Sequence, residues 1–143
     1  MTTVNEKVTA IFLTLNADAT LRGTSYLNGS GKIFKFATRP AGYSGEALTM
    51  NLFPAAIEGE QSFMDEDLLR LVLYMPNQAD MTPIMTRAGN IENRIAALLD
   101  LQSITNGGKT FKPRRDIPGR LLPIDPEATE EHAWAFQYFL RSM

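Results

Sequence analysis

Few side chains in this 143-residue sequence have the types and spacing that chemistry requires. It contains no cysteine and a single histidine, His132. Thiolate nucleophiles, disulfides and Cys-ligated zinc or iron–sulfur sites are therefore excluded, and a Ser-His-Asp site would have to be built on His132 alone. Asp65-Glu66-Asp67 has neither the alternate spacing nor the glycine of a calcium loop, and its plain reading is a solvated acidic segment. Gly29-Ser30-Gly31-Lys32 is only superficially like a phosphate loop, because neither GxxxxGK[ST] nor GxGxxG occurs. The expectation is no catalytic residue, no metal, no cofactor and no enzymatic activity.

What remains is binding chemistry, carried by two windows of cations with aromatic rings among them. The first holds Arg22, Tyr26, Lys32, Lys35 and Arg39, with Phe34 and Phe36, and has no acid from Thr20 to Ser44. The second holds Lys109, Phe111, Lys112, Arg114, Arg115 and Arg120 against Asp116. Cations that track phosphates and rings on which bases stack are the requirements of a single-stranded nucleic-acid surface. These eleven cations and rings, Phe34 and Phe36 excepted, are the candidate contacts for single-stranded DNA or RNA. The plainer alternative for the first window is an amphipathic hairpin with Phe34 and Phe36 in the core and its lysines in water.

The acids are as segregated as the bases. Glu46, Glu58, Glu60, Asp65, Glu66 and Asp67 lie in a stretch without a cation, and Asp125, Glu127, Glu130 and Glu131 follow the second basic window. The net charge of −2 thus conceals a patterned surface, which suits either a polyanion or head-to-tail association between opposite faces. The rival function is accordingly a small phage assembly or host-interaction protein that does not bind nucleic acid.

Composition sets the frame that must position these residues. At 44% hydrophobic and 21% charged, the chain is an ordinary globular sequence near the commonest size for one domain. Its apolar runs are too short for a membrane span, and Met1 to Glu6 lacks a signal's basic and apolar regions, so a cytoplasmic home is expected, the host cytoplasm if phage-encoded.

The elements read as α+β: an N-terminal antiparallel meander or barrel-like sheet packed with C-terminal helices, not a doubly wound fold. Residues 6–15 are expected as a central strand, because Ala10 to Leu13 is continuously apolar. Leu21 to Pro40 reads as a hairpin about Asn28-Gly29-Ser30-Gly31, and Ala47 to Phe53 as a further strand ended by Pro54. Gln61 to Met75 reads as a helix capped by Ser62, with a buried strand as the competing reading. Thr82-Pro83 starts a helical stretch whose second part aligns Ile91, Ile95, Leu98, Leu99 and Gln102 on one stripe. Lys109 to Pro123, with three prolines, is expected as an extended surface arm. Asp125-Pro126 then opens a last helix whose second stripe, Trp134, Tyr138 and Arg141, predicts a homo-oligomer interface for a dimer or tetramer.

The strand-rich start, the absent cysteines and the ending GGKTFKPRRDIPGRLLPIDPEATEEHAWAFQYFLRSM together resemble the small single-stranded-DNA-binding transcription cofactors of N4-related phages. The resemblance covers layout over the whole chain and no diagnostic motif. It implies a non-OB, β-barrel-like core surrounded by helices, a tetramer, preference for single-stranded DNA and cooperation with a phage RNA polymerase. The chain departs from the acidic tail common among such proteins, running Leu140-Arg141-Ser142-Met143.

Overall fold

The computed structural model describes residues 4–29, 31–35, 46–53, 66–76, 82–106, 109–121 and 131–142. In chain order the elements are α1 (Val4–Asn16), β1 (Ile33–Phe34), β2 (Ala47–Phe53), β3 (Glu66–Pro76), α2 (Thr82–Leu99), β4 (Ile104–Asn106), β5 (Lys109–Leu121) and β6 (Glu131–Ser142). The six strands form one sheet in the order β1-β2-β3-β6-β5-β4. β1 is parallel to β2 and every other pair is antiparallel. The sheet curves into a half-barrel, and β3 with β6 is its axis, in unbroken register from Glu66↔Arg141 to Pro76↔Glu131.

This architecture corrects the expected meander with C-terminal helices. The chain opens with a helix, and its longest strands lie from residue 66 onward. Residues 6–15 are helical because the apolar run is one-faced after all: Lys7, Ile11 and Leu15 recur at fours and are fully buried, while Leu13 is 54% exposed. The expected hairpin is a set of turns. Asn28 (φ 57°), Gly29 (134°) and Gly31 (75°) do take positive φ, but they close backbone bonds from Leu27 N to the Leu21 carbonyl and from Gly29 N to the Arg22 carbonyl. Among the described residues of this stretch only Ile33–Phe34 is strand, running beside β2 rather than back along the preceding segment. β2 stands where the sequence places it.

Two expected helices past residue 60 become strands for one reason, a period of two that apolar residues on both faces obscure. In β3 the buried set Asp67, Leu69, Leu71, Leu73 and Met75 alternates with the half-buried Leu68, Arg70, Val72 and Tyr74, so the capped helix is replaced. In β6 the inward Phe136, Tyr138 and Leu140 alternate with Gln137, Phe139 and Arg141, so the double stripe belongs to two faces of a strand. The proline-punctuated arm is β5. Pro113 costs no ladder bond, because its carbonyl turns away from β6 and accepts Leu101 N at 2.8 Å. Register shifts at Arg115/Ile117 and Ile117/Arg120 absorb the later Pro118-Gly119. Residues 36–40 of the expected hairpin, the following segment 41–45 and the expected helix start at 61–65 lie outside the described residues.

α2 begins at Thr82-Pro83 as expected and continues through Gly89 to Leu99, where Leu101 takes φ 61°. One core holds the fold together. Val8, Ile11 and Leu15 of α1 and Ile84, Ile91, Ile95 and Leu99 of α2 cluster with the inward side chains of β2, β3, β5 and β6. Each such side chain contributes roughly 1.5–3 kcal/mol of transfer free energy. Both helices therefore serve one face of the sheet.

Candidate functional site

Among the described residues, charged side chains form four fixed assemblies that tie helices, turns and sheet together. Lys7 Nζ, wholly buried, lies 2.7 Å from Asp67 Oδ2 and ties α1 to the start of β3. Asp18 accepts two bonds from Arg94, at 2.8 and 2.7 Å, and a third from Leu21 N at 2.9 Å. The Arg94 bond holds the Asp18 carboxyl below the usual carboxylate range against the opposing effect of burial. Arg87 joins Glu46 at 2.6 Å and reaches the Tyr26 carbonyl at 3.4 Å.

The fourth assembly sits under β5 and β6. Glu92 of α2, 4% exposed, accepts from Trp134 Nε1 at 2.9 Å and from Arg115 Nη2, while Arg115 N donates to Asp100 Oδ1 at 2.9 Å. Tyr138 is packed beside these groups with its hydroxyl buried and without a hydrogen bond. Burial pushes its phenol well above the ordinary value, which Arg115 opposes while Asp100 and Glu92 add to the rise.

The opposite face of the sheet carries a different grouping. Lys112, Arg114 and Arg141 line a cleft of about 200 Å³ together with Phe139 and Leu101. The Arg114 guanidinium lies over the Phe139 ring, 5.0 Å from its centroid. Lys112 and Arg141 are direct cross-strand partners, as are Arg114 and Phe139. A second, more open cleft is lined by Ser25, Thr82, Pro83, Thr86, Arg87 and Asn90 at the start of α2. Among the described residues no group of His, Asp and Glu is arranged to hold a metal ion, and no helix is long and apolar enough to cross a membrane.

The sequence-derived contacts are scattered by this arrangement. Arg22 is exposed on the turns, with Nε 3.4 Å from the Asp18 carbonyl, and Tyr26 is half-buried there. Lys32 Nζ bonds the Leu27 carbonyl at 2.9 Å, and Lys35 lies over the Phe12 ring at 5.4 Å. These belong to the β1 side of the sheet, whereas the second window lies on β5, at the other end of the strand order. Phe111 is fully buried and Arg115 is engaged by Glu92. Arg39 and the side chains of Lys109 and Arg120 lie outside the described residues. Of the interface residues expected, Trp134 and Tyr138 point into the fold and Arg141 alone is exposed.

The structure thus unites Lys112 and Arg114 from the second window with Arg141, and adds Phe139 and Leu101, which sequence reasoning missed. Read with a period of two, the segment 137–141 would have put Phe139 and Arg141 on one face. Leu101 gives no signal in sequence, since its exposure follows from the left-handed turn that ends α2.

No protein-family model matches the chain, and no curated protein sequence does. Solved structures do. A chain of the virion of a native gene transfer agent particle superposes with a TM-score of 0.66 at 12% identity, covering 96% of this chain and 95% of that one. A second solved structure gives a TM-score of 0.63, again at 12% identity, with 99% and 97% covered. At such identity the likeness is one of fold.

Proposed function

We propose that the chain is a structural subunit of a phage-like particle. The observation that supports this most is the end-to-end likeness to a chain of a gene transfer agent virion, 96% and 95% covered, which leaves little of either chain outside the shared fold. The charge segregation and the cleft on the outer face fit a part that docks onto neighbours. The reading is tested by tagging the chain in the genome that encodes it, purifying particles on a density gradient and identifying their proteins by mass spectrometry. A subunit co-sediments with particles through nuclease treatment and salt washes. Recovery only in the soluble fraction would reject the proposal.

A second reading is single-stranded nucleic-acid binding, with service to a phage RNA polymerase as its extension. Its support is the grouping of Lys112, Arg114 and Arg141 about Phe139, cations around a ring. Fluorescence anisotropy with labelled single strands at low salt tests it, and the absence of any binding there would remove it.

A further inference from the structure

The turn after α1 sets an asparagine side chain beside the backbone amide best able to attack it. Asn28 is exposed and lies in the left-handed region at φ 57°, and Gly29 follows at φ 134°. Asparagine is among the chemically labile residues: its side-chain amide is lost when the nitrogen of the next residue bonds to its Cγ. A following glycine, having no Cβ, leaves that approach open. The chain has two such pairs, Asn28-Gly29 and Asn106-Gly107.

At Asn28 the fold withholds the nucleophile. The Gly29 amide donates to the Arg22 carbonyl at 2.9 Å, so while that bond lasts its proton is held and its nitrogen is turned away from the side chain. Neighbouring bonds reinforce it. Asn28 N and Tyr26 N donate to the Gly23 carbonyl at 2.9 and 3.0 Å, Leu27 N donates to the Leu21 carbonyl at 3.0 Å, and Lys32 Nζ donates to the Leu27 carbonyl at 2.9 Å. Leu21 and Leu27 are fully buried and anchor the turn in the core. Asp18, held by Arg94, accepts from Leu21 N and braces the start of the turn. Freeing the Gly29 amide therefore means opening this set of contacts as a unit.

We propose that Asn28 is a self-modification site kept latent by the fold: it persists in the folded chain and converts to aspartate and isoaspartate in a chain that has unfolded. Water and hydroxide are the only other reactants. Gly29 N gives its proton to hydroxide and bonds to Asn28 Cγ. The Cγ–Nδ2 bond breaks, and the departing nitrogen takes a proton from water to leave as ammonia, regenerating hydroxide. Water then opens the five-membered imide. Attack at Cγ breaks the new bond and leaves aspartate, whereas attack at the main-chain carbonyl breaks the original peptide bond and leaves isoaspartate. The second product carries Cβ in the backbone, one atom more between Leu27 and Gly29. A turn so lengthened cannot make both the Leu27-to-Leu21 and the Gly29-to-Arg22 bonds. A chain that stays unfolded long enough to acquire the mark is thus barred from the native turn, which makes the site a one-way record of unfolding. This inference goes beyond the reading as a particle subunit and does not depend on it.

The test holds purified chain, native and in urea, in warm, mildly alkaline buffer and follows residue 28 by peptide mass spectrometry, with electron-transfer fragmentation separating isoaspartate from aspartate. Asn106-Gly107 in the urea sample is the internal standard, because without structure both pairs have the same chemistry. In urea Asn28 should convert at a rate close to that of Asn106, and in the native chain at least about tenfold more slowly, with the Gly29 amide protected from hydrogen exchange. After urea is removed, chains with isoaspartate at position 28 should melt at a lower temperature than chains that kept Asn28. Asn28→Asp, which has the charge without the longer backbone, should refold and melt near wild type. Asn28→Gly, which accepts the positive φ, should survive the same ageing in urea better than wild type, separating this site from Asn106. Native conversion at the urea rate overturns the proposal, as does a Gly29 amide that exchanges without protection. So do isoaspartate-bearing chains that melt like wild type, and aged Asn28→Gly that loses as much as aged wild type.

Discussion

Replacing Asp67 by Asn is expected to destabilise the fold by about 3–5 kcal/mol, the cost of leaving a buried ammonium without its carboxylate. Lys7 side-chain exposure is 0% and that of Asp67 is 5%, with 2.7 Å between nitrogen and oxygen, so solvent offers little compensation. Domains of this size are stable by about 5–15 kcal/mol, so the loss is a large fraction of the total. It corresponds to a fall of roughly 10–15 °C in Tm. The pair itself is a different matter. Taking both charges out of water offsets much of their attraction, so Lys7→Met/Asp67→Leu should lie within about 2 kcal/mol of wild type and above either single variant. Urea unfolding at neutral pH, followed by circular dichroism, measures all four proteins in one double-mutant cycle. An Asp67→Asn loss below about 1 kcal/mol, or single losses that simply add in the double variant, would refute the reasoning.

Asp18 is depressed by Arg94, so its contribution is present above the unfolded carboxyl value near 4 and is lost as pH falls below it. Arg94→Met should therefore flatten the acid limb of a stability–pH curve, and an unchanged limb in urea titrations from pH 5 downward would contradict this. Tyr138 is raised, so its contribution is present below about pH 10 and is lost as pH rises beyond it. Tyr138→Phe should be within about 1 kcal/mol of wild type at neutral pH, since the hydroxyl lacks a hydrogen bond, and should unfold less readily in alkali. Leu101→Gly relieves the left-handed strain and should raise stability by up to about 1 kcal/mol in urea unfolding, and a loss of stability there would contradict the strain.

How much of this was legible in the sequence depends on the period of each segment. α2 was readable because Ile91, Ile95 and Leu99 are buried while Asn90, Asn93 and Ala97 are exposed, a one-sided pattern that only a helix makes. β2 was readable from Ala47 to Phe53 between proline and glycine signals. β3 and β6 lie at the middle of the sheet, where both faces are at least partly covered, so their alternation was filled in by Val72, Tyr74 and Phe139. Local cues then prevailed: Asp125-Pro126 before β6 reads as a helix start. The site was half visible. Lys112 and Arg114 announce themselves by composition, whereas the engagement of Arg115 by Glu92 follows only from where α2 packs. Glu92 does not belong to the Ile91, Ile95 and Leu99 stripe, and its burial reflects tertiary bonds to Arg115 and Trp134 that helical periodicity cannot encode.

The strand order has a consequence for synthesis. β3 emerges early, yet one of its edges is closed by β6, which follows β5 in the chain and inserts between the two. Until residue 142 has been made, β3 presents eleven residues of unpaired backbone with leucines on both faces, the pattern of an aggregation template. Chains halted anywhere between residues 76 and 131 should therefore precipitate or be held by chaperones, and acquisition of the fold should be a late, abrupt event tied to the arrival of a single strand.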